Sequence, residues 1–198
     1  MNNINPLILK VLQKNNNVIT ISQVLKLGFS RMVIAKYVRL GLLVRVRQGV
    51  YMLEDSIHDD MYTLILRSKN IVFSHESALF LNGISERTPF VHTITIPSNK
   101  SISKTIQNVC KCFYIKPSLY KVGLIEKKTT FGNKVKCYDL ERTICDFLRT
   151  RNRIDEETVI SAIKNYISYK KKDLNKLHSY AKLFKVDGEI KKYLEVLL

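Results

Sequence analysis

The feature that most constrains this chain lies between Asn5 and Leu53, where three short stretches of helical spacing precede an arginine-bearing hairpin pattern. Leu7, Ile8, Val11 and Leu12 recur at helical spacing over Asn5 to Lys14, and Pro6 is tolerated in a first helical turn. After the polar loop Asn15-Asn16-Asn17, Thr20 with Gln23 forms a capping-box pattern for a short second helix, which Gly28 stops with a left-handed residue. Ser30 caps a third helix over Arg31 to Leu40, closed by Gly41. At about 100° per residue, Arg31, Met32, Ala35, Lys36 and Arg39 fall on one half of it and Val33, Ile34, Tyr37, Val38 and Leu40 on the other. The apolar half is predicted to pack inward, which leaves the cationic half free to enter a groove.

Leu42 to Leu53 then reads as a β-hairpin turning at Arg47-Gln48-Gly49, where Gly49 can take a positive φ and strict alternation puts Arg45 and Arg47 on one face. Three helices followed by a hairpin with arginines near its tip is the order of a winged helix-turn-helix. In that fold the last helix enters the major groove of double-stranded DNA and the wing meets the phosphate backbone or the minor groove. The predicted contact set is Ser30, Arg31, Lys36 and Arg39 on the third helix with Arg45, Arg47 and Gln48 on the wing.

Charge supports a polyanionic partner. Lysine and arginine total 33 against 17 acids, a formal charge of +16, and the pI is about 9.7. Between Met1 and Ser56 eight cations face only Glu54 and Asp55, whereas from Asp139 onward thirteen cations face ten acids. A membrane is disfavoured as that partner: no apolar run is long enough to span a bilayer and the first residues carry no cationic signal-peptide start, so a cytoplasmic protein is expected. Cys110, Cys112, Cys137 and Cys145 are then expected as reduced thiols, with Cys110 and Cys137 placed on neighbouring strands.

The rest of the chain predicts a second domain over 57–198, a mixed α/β domain with a small sheet at about 71–138 and a helical end at about 139–198. The whole chain is therefore expected to be α+β, with the winged helix as domain 1–56. Ile57 to Arg67 reads as a connecting helix, Ile71 to Ser74 and Val91 to Ile96 as strands, and His75 to Asn82 as a helix stopped by Gly83. Further strands are expected at Cys110 to Lys116 and near Lys134 to Tyr138, with Phe131-Gly132-Asn133 turning between paired segments. Asp139, Asp155 and Asp173 can each cap a helix, and Val186 to Leu198 carries a fourth.

Enzymatic readings find little support. His75-Glu76 has no second histidine four residues on, so a helical zinc pair is not formed and the pair reads as the start of a packed helix. The cysteine spacing is not that of a zinc ribbon. Glu126-Lys127-Lys128 contains half of a metal-dependent nuclease pattern, but upstream only Glu86 and more distant acids could complete a carboxylate cluster. Asp59-Asp60 lacks the preceding Gly-Ser turn of a nucleotidyltransferase, and no glycine-rich phosphate loop occurs. Arg142 and Asp146 read as an i,i+4 pair worth a few tenths of a kcal/mol. Lys170-Lys171-Lys172 reads as a solvated loop. The basic stretch Lys100 to Lys136 fits a solvated face, a second DNA contact, or a surface for RNA or an acidic protein. Neither a catalytic set, a metal nor a cofactor is expected.

Three segments taken in order, Gly41 to Tyr51, Ser74 to Gly83 and Asp139 to Asp146, resemble the AbiEi antitoxins of bacterial abortive-infection systems. The resemblance implies a two-gene, type IV toxin–antitoxin locus. In such a locus the winged helix binds inverted repeats in the chain's own promoter and represses the operon, and the carboxy-terminal domain counteracts a nucleotidyltransferase-like toxin without requiring a stable complex. A monomer or weak dimer pairing on DNA is expected. A stand-alone regulator, whose second domain senses a ligand or dimerises, is the other reading.

Overall fold

Asn5 starts the first helix, α1 (Pro6–Lys14), by accepting a hydrogen bond from the Leu7 amide. Asn16 and Asn17 both take positive φ, 51° and 62°, a conformation that asparagine tolerates better than most residues. The chain then enters β1 (Val18–Thr20) and α2 (Ile21–Lys26). Thr20 and Gln23 form the full reciprocal capping box, an arrangement worth about 1 kcal/mol. Gly28 at φ +85° ends the turn before α3 (Arg31–Arg39). The hairpin consists of β2 (Leu43–Arg47) and β3 (Val50–Leu53), turned at Gly49 with φ +75°.

The computed structural model describes residues 4–54, 59–85 and 87–197. The chain divides into two compact units, Met1–Lys69 and Asn70–Leu198. In the first, β1, β3 and β2 form a three-stranded antiparallel sheet in that order. One side of the unit's core joins Ile8, Leu12, Ile19, Val24, Ile34, Tyr37 and Leu43. Tyr37 is buried and its hydroxyl accepts the Asn5 backbone N–H at 2.9 Å, which ties α3 to the start of α1. On the other sheet face, Val18, Val46, Val50 and Met52 pack against Tyr62 and Leu66 of α4 (Asp60–Arg67). This packing carries the compact unit to Lys69, beyond residue 56 where composition alone would divide the chain.

The strand β1 is not expected from the sequence, where Asn15-Asn16-Asn17 reads as loop and Val18-Ile19 carries no assignment. Three residues are too short to show a period, although Val18-Ile19-Thr20 is a run of β-branched residues.

The second unit is built on a mixed five-stranded sheet of β4 (Val72–Phe73), β5 (His92–Pro97), β6 (Cys110–Ile115), β7 (Leu124–Lys128) and β8 (Lys134–Tyr138), in the order β6-β5-β4-β8-β7. The β5/β6 and β4/β8 pairs are parallel; β4/β5 and the β7–β8 hairpin are antiparallel. Cys110 on β6 and Cys137 on β8 are therefore not on neighbouring strands, because β5 and β4 lie between them. Helices α5 (His75–Leu81), α6 (Lys104–Gln107), α7 (Leu140–Arg149), α8 (Glu156–Ser168), α9 (Leu174–Phe184) and α10 (Asp187–Leu197) complete the unit. Asp139, Asp155 and Asp173 cap α7, α8 and α9 with their carboxylates, as expected.

α7 is the central helix, buried continuously from Leu140 to Leu148 against α5, α8 and α9. Arg142 and Asp146 are both 0% exposed, so they are not the surface pair that i,i+4 spacing suggests. The Arg142 Nε donates to Asp146 Oδ2 at 2.9 Å, and its Nη1 donates to the carbonyls of Leu119 and Val122. Its guanidinium carbon lies 4.2 Å from the ring centre of Tyr138 and 4.0 Å from that of Phe184. Gly123, at φ +71°, passes so close that an added Cβ would meet the Arg142 Cβ at 2.6 Å. Only glycine fits there.

His75 is fully buried, stacked on Phe113 at 4.0 Å. Thr150 Oγ1 donates its hydrogen to the Asp146 carbonyl, so the 3.0 Å bond between Thr150 and His75 Nε2 requires the proton on Nε2. Ser74 then donates to Nδ1 while accepting from Thr95. The neutral ring is fully satisfied, and burial lowers its pKa from 6.5 to about 4. Because the unfolded chain binds a proton that the native state excludes, the contribution is complete above pH 6.5 and is lost as pH falls towards 4, about 3 kcal/mol in all. Melting temperature should fall more steeply over this window in the native protein than in His75→Gln; parallel curves would remove His75 as the cause.

Candidate nucleic-acid interface

α3 meets the first unit's core along a narrow stripe. Ile34 and Tyr37 are buried and Val33 is half-buried, while Arg31, Met32, Ala35, Lys36 and Arg39 are exposed. Val38 and Leu40 depart from the helical-wheel expectation: they are 37% and 58% exposed, because a helix supported mainly at i and i+3 positions buries less than half of its circumference. Nine residues make a rod of about 14 Å, and a helix diameter of about 10–12 Å with side chains suits a major groove about 12 Å wide. The Ser30 side chain makes no capping hydrogen bond. Its exposed hydroxyl is left to an external acceptor at the start of α3, where the Val33 amide already donates to the Ser30 carbonyl at 3.2 Å.

The wing carries a register shift between Arg45 and Arg47. Arg45 lies opposite Tyr51 but Arg47 opposite Val50, and these successive residues of β3 point to opposite sheet faces. The bulge therefore turns the two arginines away from each other, in place of the shared face that strict alternation gives. Arg45 takes the side of Leu43 and Tyr51, the side packed by the helices. Arg47, Gln48 and Arg45 are all exposed at the hairpin end.

Among the described residues, no acid forms an ion pair with any of these cations; the pairs found all lie in the second unit. The arginines and lysine thus keep their full field for a ligand. Met32, 79% exposed in the middle of the cationic face, is the residue that reasoning from charge passed over. An unbranched apolar side chain there suits contact with a thymine methyl, and its exposure on an otherwise polar face is the signal.

The enzymatic alternatives gain nothing from the geometry. Among the described residues no group of three or more His, Cys, Asp or Glu could hold a metal ion. Glu126 is exposed on β7 opposite Lys136; Glu86 lies outside the described residues. Burial pushes the thiols of Cys137 and Cys145 up to about 12, which keeps both protonated. No described helix is long and apolar enough to cross a membrane.

A helix-turn-helix followed by a cationic, bulged wing defines the first unit as a winged helix-turn-helix, the DNA-reading fold of many transcriptional regulators. Residues 6–53 match the family described as transcriptional regulator, AbiEi antitoxin. The chain is also similar to the RV2827C protein from Mycobacterium tuberculosis, whose crystal structure superposes with a TM-score of 0.62 at 14% identity, covering 96% of this chain and 79% of that one. At that identity the likeness is one of fold. No curated protein matches the chain significantly.

Proposed function

We propose that this chain is the antitoxin and autorepressor of a bacterial toxin–antitoxin operon of the abortive-infection type. It binds inverted repeats in its own promoter through Ser30, Arg31, Lys36, Arg39, Arg45, Arg47 and Gln48, and its second unit counteracts a nucleotidyltransferase-like toxin. The observation that carries this reading is an exposed cationic α3 and wing, unpaired with acids, within the segment that matches the antitoxin family. Each protomer reads one half-site, so two protomers occupy a repeat, and they need meet only on the DNA. The protein works in the cytoplasm as a binding protein.

The test is co-expression with the toxin gene adjoining this one, alongside a promoter reporter. The full chain should silence the reporter and restore growth, residues 1–69 should retain binding to the promoter but not rescue, and residues 70–198 should rescue without silencing. Failure of residues 70–198 to rescue, when they are folded by circular dichroism, would assign neutralisation elsewhere. A promoter unresponsive to the full chain would remove autorepression.

A further inference from the structure

A cavity of about 430 Å³ opens on the second unit, lined by Tyr114 and Lys116 at the end of β6, Leu119, Arg149 at the end of α7, and Phe184 and Lys185 at the end of α9. Its size is that of a small-molecule site. None of its described lining residues is acidic. Behind it stands Arg142, which stacks on Phe184 and donates to the Leu119 carbonyl. The Asp146 carboxylate is shared between Arg142 at 2.9 Å and Arg149 at 3.2 Å. Lys116 and Lys185 form no ion pair among the described residues. Among the described residues Asp146 is the one carboxylate that forms an ion pair with any of these four cations, so the set carries an excess of positive charge.

Two further observations point to a ligand. Tyr114 is 42% exposed, so a large part of its aromatic surface is open at the cavity's edge. Lys185 ends α9 in the left-handed conformation, at φ 58° and ψ 43°. Val186 N–H bonds back to Ala181 and Lys185 N–H to Lys182, the pattern in which glycine usually occupies this position. A lysine held there at a conformational cost places a cation where stability alone would place glycine.

We propose that this cavity binds a nucleoside phosphate, with the phosphates against Lys116, Arg149 and Lys185 and the base on Tyr114. A bare anion would leave the aromatic and aliphatic lining unused, and a purely apolar ligand would leave the cations unanswered. Nucleoside phosphates carry both a flat π-surface and clustered negative charge. The ligand is either a free nucleotide or the phosphorylated end of an RNA strand. The inference is independent of the winged helix and holds whether or not the second unit neutralises a toxin.

Calorimetric titration of the full chain with the four ribonucleoside triphosphates, and with tripolyphosphate for charge alone, tests it. At least one nucleotide should bind ten-fold or more tightly than tripolyphosphate, and Lys116→Ala and Lys185→Gly should each weaken it by ten-fold or more. Lys185→Gly relieves the left-handed lysine, so its melting temperature should be unchanged or raised by about 2–4 °C; loss of binding in this variant cannot then be ascribed to misfolding. Displacement of the nucleotide by a 5′-phosphorylated but not a 5′-hydroxyl RNA hexamer assigns the strand end, and no displacement by either assigns the free nucleotide. Absence of nucleotide binding, equal binding of tripolyphosphate, or indifference to both substitutions would overturn the proposal.

Discussion

Replacing Arg31, Lys36 and Arg39 together by alanine should lower affinity for the promoter repeat by about 100-fold or more, since lost groove contacts cost about 1–3 kcal/mol apiece. The three side chains are exposed and unpaired on one face of α3, so the melting temperature should not move. Replacing Arg45 and Arg47 should act differently. If about five phosphates are neutralised per protomer, log affinity falls with log salt at a slope near −4 to −5, and removing two wing contacts should flatten it by about 1.8. The wing pair should weaken promoter and unrelated DNA alike, whereas the helix substitutions should erase the preference between them. Filter binding across a salt series on both DNAs separates the two. An unchanged slope for the wing variant, or an unchanged preference for the helix variant, would remove that element from the interface.

The second large effect is expected deep in the other unit. Arg142→Ala should destabilise it by about 3–5 kcal/mol, because removal of the guanidinium leaves Asp146 buried without its closest partner and two carbonyls without donors. A drop in melting temperature of about 10 °C follows from the usual scaling for a unit of this size. Arg142→Lys should not rescue it: an ammonium cannot span Asp146 and the carbonyls of Leu119 and Val122 while lying flat between Tyr138 and Phe184. Gly123→Ala should be comparably harmful, since its Cβ would stand 2.6 Å from that of Arg142. DNA binding by the first unit should persist in all three variants. A small change in melting temperature for Arg142→Ala would mean that water enters and solvates Asp146.

Much of the first unit was legible in the sequence because its signals are local. The Thr20–Gln23 capping box, the left-handed Gly28 and Gly49, and the apolar stripe of α3 each arise within a few residues, and each is found in place. The outward cationic face was legible for the same reason: Arg31, Lys36 and Arg39 follow from helical spacing alone. Legibility failed where one residue decides a direction. The bulge between Arg45 and Arg47 breaks the alternation on which their common face depended, and no composition signal marks it. It failed also at Val38 and Leu40, whose exposure depends on how little of α3 its neighbours cover.

In the second unit, sequence periods located most strands and helices but not their neighbours. Strand order is a long-range property, so Cys110 and Cys137 could be assigned to strands but not to adjacent ones. The sequence by itself determined the winged helix, its cationic face and the capped helices of the carboxy-terminal end, since all of these rest on hydrogen bonds and side-chain spacing within one or two turns of chain. Only the tertiary structure decided that Arg142 and Asp146 are buried, that His75 is a neutral packed ring, and that Lys116, Arg149 and Lys185 line one cavity. Burial and convergence are set by segments dozens of residues apart, and an i,i+4 pair looks the same in sequence whether water or protein surrounds it.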